Sequence, residues 1–388
     1  MIFFLVLLAA GLAIVADWFL YRRLVRRGTS RCGLRIYAVW AAATDALPLL
    51  SALSGVLLRD NSTIYLRIVM WLFWVWMVAV LPRLLYGLFD RPRLRILGGA
   101  LSAALVALLV WGATAGRTTL HVERVAVCSE RLPRSMEGFR IVQLTDIHLG
   151  TLVKPERELR RLVDSVNALR PDIVVFTGDL VNIRCSELDS TAMLLLGGFH
   201  APVYSVLGNH DSGAYIRDTV ALPREESLAC LIGRQRAMGW HVLDDETVYL
   251  RRGDDSIALS GIAYDPAIRH RRHDAELPPA DLEKVYRDVP EELFNITLVH
   301  LPQMWKQILA TPYGDLTLAG HVHSMQMKIR FGSRRGWSPA AWMFEQWSGR
   351  YERDGRTLYI SDGTGYVAYP MRLGAWPEIT LITLQRCE

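Results

Sequence analysis

Five short polar clusters punctuate the C-terminal two-thirds of the chain. They are Asp146-Ile-His148, Gly178-Asp179, Gly208-Asn209-His210-Asp211, His300 and Gly320-His321-Val322-His323. Aspartate, asparagine and histidine supply the oxygen and nitrogen donors that hard and borderline divalent cations prefer. Each cluster follows an apolar run of β type: Phe139 to Leu144, Ile173 to Phe176, Val203 to Leu207, Ile296 to Val299, and Leu316 to Ala319. Five buried strands that end this way aim many ligand atoms at one edge of a sheet, where open α/β sheets place their sites. Asp146, His148, Asp179, Asn209, His300, His321 and His323 taken together are costly to bury unpaired, which argues against a purely structural role. Alternation along an extended His321-Val322-His323 segment puts both imidazoles on one side and turns Val322 away.

The elements that must carry these clusters are legible in the periodicity. Pro155 to Leu169 reads as a helix, with Leu159, Leu162, Val163 and Val166 at helical spacing and charges between them. Leu188 to Gly198 and Ser227 to Met238 read the same way, and Thr119 to Val127 alternates as a strand. Strands and helices alternate to about residue 210, as in a βαβ sheet. Mostly strands follow, at Thr247 to Leu250, Ser256 to Ile262, Leu293 to Val299, Thr357 to Ile360 and Glu378 to Leu384. The expected result is a two-sheet core with helices outside.

A different composition rules the first third. The chain is 51% hydrophobic with a mean hydropathy of +0.17, and the apolar excess lies before residue 117. Ile2 to Leu20, Ile36 to Leu58, Ile64 to Leu81 and Ile96 to Ala115 are each close to the ~20 residues that span a bilayer. The first lacks a basic start and a small-residue cleavage site, so it reads as a span rather than a cleaved signal. Arg22, Arg23, Arg26, Arg27, Arg31 and Arg35 follow span one, and Arg83, Arg91, Arg93 and Arg95 follow span three, against Arg59 alone after span two. The positive-inside rule puts the Arg-rich loops in the cytoplasm and both termini outside. Asp45 and Pro48 are the polar oddities of span two. An intramembrane carboxylate is a functional candidate by default, and a satisfied interhelical hydrogen bond is the favoured alternative. The net charge of +5 arises largely from this Arg-rich part and suits anionic lipid headgroups rather than nucleic acid. Cys32, Cys128, Cys185, Cys230 and Cys387 form no CxxC pair, which argues against a zinc–thiolate site. A pair can bridge in an oxidising compartment, though the spacing does not say which.

The ordered set Asp-x-His, Gly-Asp, Gly-Asn-His-Asp, a strand-end His before Leu-Pro, and Gly-His-x-His resembles the calcineurin-like metallophosphoesterase superfamily, in particular its bacterial membrane-anchored branch. The resemblance covers about residues 119 to 388 and includes Leu358-Tyr-Ile-Ser-Asp-Gly-Thr-Gly365, Arg372 and Pro377-Glu-Ile. It implies a four-layer α/β/β/α sandwich over residues 118–388, preceded by a membrane domain of four transmembrane helices over residues 1–117. It also implies two divalent metal ions, Mn, Fe or Zn with Mn favoured. Asp146, His148, Asp179 and His323 hold the first ion in this scheme; Asp179, Asn209, His300 and His321 hold the second, with Asp179 bridging. Two such ions clamp an in-line displacement at phosphorus, and a hydroxide bridging them is the implied nucleophile. His210 is then the residue that contacts the scissile phosphate, stabilising charge or protonating the leaving oxygen. Asp211 orients its imidazole. One departure stands out: relatives often carry Gly-Gly-Gln after the final His, whereas this chain has Ser324-Met325-Gln326. That puts the loop's backbone freedom and the mouth of the site in question.

The expectation is a multi-pass enzyme of the inner membrane. It hydrolyses a phosphodiester or pyrophosphate bond in a phosphorylated lipid or envelope substrate, with its catalytic domain periplasmic or extracellular. The alternatives are a UDP-2,3-diacylglucosamine pyrophosphatase-like hydrolase if the domain is cytoplasmic, and a non-catalytic metal-binding scaffold. A transporter regulated by the domain lacks sequence support. The cluster Arg269-His270-Arg271-Arg272-His273 either holds a second anionic group or is a solvated loop. Trp337 to Trp347 is apolar enough either to dip into a membrane interface, the reading favoured here, or to cover the second sheet. His121, His200, His241, His270 and His273 match no cluster and read as ordinary histidines.

Overall fold

The structure is a computed structural model that describes residues 2–57, 63–89, 91–216, 222–270, 276–331 and 334–387. It divides into one unit of residues 1–115 with 368–371, and a second of residues 116–367 with 372–388.

The first unit contains helices α1 (Ile2–Arg26), α2 (Arg31–Leu57), α3 (Thr63–Leu88) and α4 (Arg95–Trp111), the last extended by a π-helical turn, Gly112–Gly116. Among the described residues, two segments are long and apolar enough to cross a membrane, Tyr65–Leu88 and Arg95–Gly116. That is two fewer than the four spans expected. Asp17, Arg22, Arg23 and Arg26 lie in α1, and Arg31, Arg35, Asp45 and Pro48 in α2; side chains in part of each helix lie outside the described residues. The assignment of Arg83 to a loop is also corrected, because it lies inside α3 and is buried. Its guanidinium donates to Asp17 of α1, to Asp45 of α2 at 2.9 Å and to Thr44 Oγ1 at 3.0 Å, and it lies 4.5 Å from the Trp40 ring. Tyr37 donates its hydroxyl to Asp17 at 2.5 Å. Asp45 is therefore one partner of an interhelical ion pair, the plainer of its two readings. Arg59 lies outside the described residues.

The second unit begins with β1 (His121–Ser129), β2 (Arg140–Leu144), β3 (Ile173–Thr177), β4 (Val203–Val206) and β5 (Trp240–Val242). Next come β6 (Glu246–Arg252), β7 (Asp255–Gly261), β8 (Asn295–Leu298) and β9 (Leu316–Ala319). The chain ends with β10 (Ile329–Phe331), β11 (Arg334–Trp337), β12 (Gly349–Arg353), β13 (Arg356–Ile360) and β14 (Glu378–Arg386). One six-stranded sheet has the order β1-β14-β2-β3-β4-β5, the other β12-β13-β9-β8-β7-β6. Strands β2 to β5 run parallel to one another, as do β7, β8, β9 and β13. Parallel strands covered on both faces read as continuous apolar runs, which is why these were visible in the sequence. Ile141, Val175 and Val206 of the first sheet share one buried cluster with Leu259, Leu298, Leu318 and Tyr359 of the second. Helix α5 (Pro155–Ala168) starts on a proline and buries Leu159, Leu162, Val163 and Val166, as its spacing predicts. Helix α6 (Ser190–Leu196) is capped by Asp189, whose carboxylate accepts from the Ala192 amide at 2.8 Å.

Two disulfides lie within this unit, Cys128–Cys387 and Cys185–Cys230, leaving Cys32 of the helical unit as an exposed free thiol. Cys185–Cys230 ties the loop after β3 to helix α7 (Arg224–Ala237) across 45 residues. Replacing both cysteines by alanine is expected to cost about 4 kcal/mol, or roughly 10 °C in Tm, through the freed unfolded chain. Calorimetry on the double variant checks this, and an unchanged Tm rejects it.

A second stability device sits at the head of β14. Glu378 is buried and accepts from Tyr359 Oη at 2.8 Å and Thr380 Oγ1 at 2.7 Å. Burial, reinforced by the Asp362 charge, pushes its carboxyl up from 4.5 to about 7. A raised folded-state value means the unfolded chain ionises first, so stability falls as pH climbs from 4.5 to 7 and the penalty is complete above that. Glu378→Gln is expected to leave Tm unchanged near pH 4 and to raise stability near pH 8 by up to about 3 kcal/mol. Equal shifts at both pH values reject this origin.

Candidate metal centre

The parallel strands deliver the polar clusters from their C-terminal ends. Asp146 and His148 follow β2, Asp179 follows β3, and Asn209 and His210 follow β4 in the first sheet. From the second sheet, His300 follows β8 and His321 and His323 follow β9. The turns there are tight. Asp146, His148, Asp179, His321 and His323 have φ values of 56°, 48°, 59°, 73° and 53°, the left-handed region that costs a non-glycine residue about 1 kcal/mol or more. Such backbone clusters at sites where surrounding structure overrides local preference.

Two triads of ligand atoms result. Those of Asp146, His148 and His323 lie within 4.8 Å of one another, and so do those of Asp179, His300 and His321. His323 Nε2 stands 3.0 Å from Asp146 Oδ1 and 3.1 Å from His148 Nε2. His300 Nε2 stands 3.2 Å from Asp179 Oδ2 and 3.0 Å from Asn209 Oδ1. His148 Nε2 lies 3.9 Å from Asp146 Oδ1 and 3.8 Å from Asp179 Oδ2, which links the two triads. A third group joins His210 to His148 and Asp179.

These residues fit divalent ions. Donors about 2.1 Å from one cation stand about 3 Å from each other, the spacing seen here. Asp146 Oδ1 is buried and receives no hydrogen bond, while Oδ2 accepts from Thr145 Oγ1 at 2.7 Å and the His321 amide at 3.0 Å. One oxygen is thus held by the protein and the other points at two imidazoles. His300 Nδ1 donates to the Thr177 carbonyl at 2.7 Å, which leaves Nε2 to face the cluster. The fully buried Arg372 guanidinium lies 3.3 Å from His323 Nδ1 and donates to the Gly365, Asp362 and Ala375 carbonyls. Asn209 donates its amide to Tyr215 Oη at 2.9 Å, so its Oδ1 is turned toward His300. Burial works to raise Asp179 and Asp146, but His300 beside the one and His323 beside the other hold both carboxyls below the usual range. Burial works to lower His300, and the Asp179 charge overrides it and raises the imidazole to about 9. Gly208 and Gly320 close the cradle: a Cβ on the first would sit 2.1 Å from Asp179 Oδ1, and one on the second 2.6 Å from Asp146 Oδ2.

Several expectations change in detail. Asp211 does not serve as the described orienting partner of His210. Its carboxylate accepts from the amides of Asp179 at 2.8 Å, Gly208 at 2.9 Å and Val181 at 3.1 Å, and so binds the loop after β3 to the loop after β4. Burial and the Asp179 charge nonetheless push that carboxyl up to about 7. His210 Nδ1 instead meets the Asn182 carbonyl at 2.6 Å, and Tyr215 stacks on its ring at 4.2 Å. Nor is His321-Val322-His323 extended. Both histidines are left-handed around a helical Val322, so they serve different triads from one curled turn. Ser324, Met325 and Gln326 continue the left-handed run at φ 48°, 46° and 58°, the conformation that glycines would adopt without strain.

Thr145, Asn182, Tyr215 and Glu187 went unnoticed in the sequence because each acts through a contact rather than a motif. Glu187 accepts from the amides of Gly150 at 2.9 Å and Ile183 at 2.9 Å and so braces the loop that carries Asn182. The stretch after Trp337 divides: Phe344 and Trp347 are buried in the second core cluster, whereas Trp342 is 78% exposed and meets Trp337 edge-on at 5.2 Å. His121 pairs with Glu123 at 3.2 Å, His241 stacks on Tyr204, and His200 is exposed, as expected of ordinary histidines. Residues 271–275 of the basic cluster, His273 included, lie outside the described residues.

Residues 139–325 match the family model of the calcineurin-like phosphoesterases, so the chain carries a calcineurin-like phosphoesterase domain. It is 33% identical over 291 residues to a zebrafish (Danio rerio) transmembrane protein with metallophosphoesterase domain, covering 72% of this chain and 60% of that protein. The chain thus spans less than two-thirds of that relative's length. An uncharacterized metallophosphoesterase of Campylobacter jejuni is 25% identical over 98% of this chain and 97% of its own. The UDP-2,3-diacylglucosamine pyrophosphatase LpxG of Chlamydia trachomatis is 34% identical over 119 residues, 29% of this chain and 35% of that protein.

Proposed function

We propose that this protein is a membrane-anchored dimetal phosphoesterase, with a four-layer α/β/β/α catalytic domain that hydrolyses a phosphodiester or pyrophosphate bond in a lipid or envelope substrate. The observation that carries the reading is the convergence of the Asp146–His148–His323 and Asp179–His300–His321 triads from the ends of two sheets. Asp146, His148, Asp179 and His323 would hold one ion, and Asp179, Asn209, His300 and His321 the other, with Mn favoured. Bound there, such ions polarise phosphoryl oxygens and lower the pKa of water. The chain's own part is to fix the His300 tautomer through the Thr177 carbonyl, and to place His210 against the phosphate. As the imidazolium, with Nδ1–H on the Asn182 carbonyl, His210 would offer Nε2–H as the proton donor to the leaving oxygen and be left neutral. The test is Mn-dependent hydrolysis of an aryl phosphodiester and its monoester by the purified full chain. Turnover of neither ester, with two ions bound, rejects the activity in favour of a metal-binding scaffold.

Two observations support a catalytic domain outside the cytoplasm. Two disulfides belong to an oxidising compartment, and Arg91, Arg93 and Arg95 join the first Arg-rich segment as cytoplasmic anchors. The exposed Trp337 and Trp342 suit an interfacial contact. The likeness to LpxG favours a second reading, hydrolysis of a UDP-diacylglucosamine-like pyrophosphate at the cytoplasmic face. Cys32, the free thiol on the Arg-rich side, separates the two. An impermeant maleimide is expected to spare Cys32 in intact spheroplasts and to label it after lysis. Labelling in intact spheroplasts overturns the proposed sidedness and favours the second reading.

A further inference from the structure

Resting on that reading, we infer that a cavity of about 500 Å³ beside His300 receives a neutral alkyl or acyl chain of the phosphoester substrate. His300 belongs to both places: it lines the cavity, and its Nε2 stands 3.2 Å from Asp179 Oδ2 in the second triad. Leu207, at the end of the run that leads to Asn209, lines it too. A phosphorus held at the triads therefore has its substituent at the cavity's edge.

The lining decides what that substituent is. Leu228 and Ile232 of α7 are half-buried there, and Ile262, Ile268, Leu301 and Met304 are buried around it. The volume falls within the range of small-molecule sites, which are mostly apolar with few polar groups. Among the described lining residues there is no Lys or Arg, and four are aspartates: Asp244, Asp245, Asp265 and Asp281. Three of these are committed to local structure. Asp245 accepts from the Ala263 amide at 2.8 Å, Asp265 from Ala267 at 2.7 Å and Asp281 from Lys284 at 3.0 Å. Lys284 Nζ pairs with Asp245 Oδ2 at 3.3 Å, which leaves the charges of Asp244, Asp265 and Asp281 to repel a second phosphate or a carboxylate, and no carboxylate donates to one. An uncharged chain satisfies both the apolar wall and the acidic rim.

The experiment titrates the Mn-loaded full chain with alkylphosphonates from ethyl to octyl by calorimetry, alongside hydrolysis of 4-nitrophenyl alkyl phosphodiesters of the same lengths. Affinity is expected to rise by up to about fourfold per added methylene. A terminal carboxylate on the octyl chain is expected to abolish the gain, and the Leu228→Gln/Ile232→Gln variant, checked for unchanged Tm, to flatten the series. A flat series in the native protein overturns the inference, as does a slope that the double variant leaves intact. Hydrolysis without any chain-length dependence overturns the cavity assignment alone. An intact affinity slope with no hydrolysis overturns the proposed activity and leaves the cavity assigned.

Discussion

Asp179→Asn is expected to lower metal-dependent diester hydrolysis by about a thousandfold and to reduce the bound metal below two ions per chain. Among the described residues Asp179 is the carboxylate grouped with histidines of both triads, 3.2 Å from His300 Nε2 and 3.8 Å from His148 Nε2. The asparagine is nearly isosteric and can still accept the His210 amide, which Asp179 Oδ1 takes at 2.8 Å. The fold is therefore retained, while the shared negative charge is lost. Removal of that charge also relieves Asp211, which it helps to push up to about 7. Loss of the pair with His300, whose imidazole that charge raises to about 9, opposes this relief, so the metal separates the two proteins: Mn is expected to raise the Tm of the native chain more than that of the variant, since ions stabilise only the form that binds them. Elemental analysis, kinetics and Tm with and without Mn read the three effects separately. Full activity, or an unchanged content of two ions, would falsify the bridging role.

His210→Asn tests a different function and carries the second large effect. A general acid contributes about a hundred- to ten-thousandfold, so kcat is expected to fall by that order on a substrate with an alcohol leaving group. The loss should be much smaller for 4-nitrophenyl esters, whose leaving oxygen departs as a stable anion and needs no proton. Metal content is expected to stay at two. His210 does lie with His148 and Asp179 in one of the ligand groups, so a drop to one bound ion would reassign it from proton donor to ligand. An equal loss with both leaving groups, at full metal content, would leave it a phosphate-positioning residue only.

The two variants separate because the tertiary structure gives neighbouring residues unlike tasks. Asn209 and His210 leave one strand in sequence, yet one amide turns to His300 and the next ring turns to the Asn182 carbonyl. Asp211, one residue on, works entirely on backbone amides. Nothing in the spacing of Gly208-Asn209-His210-Asp211 foretells that division. It depends on the left-handed turn at Asp179, which brings three amides onto one carboxylate. Arg372 is comparable: it was visible as part of a family pattern, but its hold on His323 required burial among the carbonyls of 362–375.

By itself the sequence determined the candidate ligand types, their order, the strands that carry them and the amphipathic helices between. Those features follow from local periodicity and side-chain chemistry, each contained in a window of a few residues. The Arg83 partnership with Asp17 and Asp45 is of another kind, because it joins residues up to 66 positions apart and no local window registers it. Tertiary structure alone decided which histidine meets which carboxylate, which cysteines pair, and that an apolar cavity opens beside His300. Each of these depends on strands from two sheets ending at one place, and register between distant segments is fixed by packing, not by the residues within either segment.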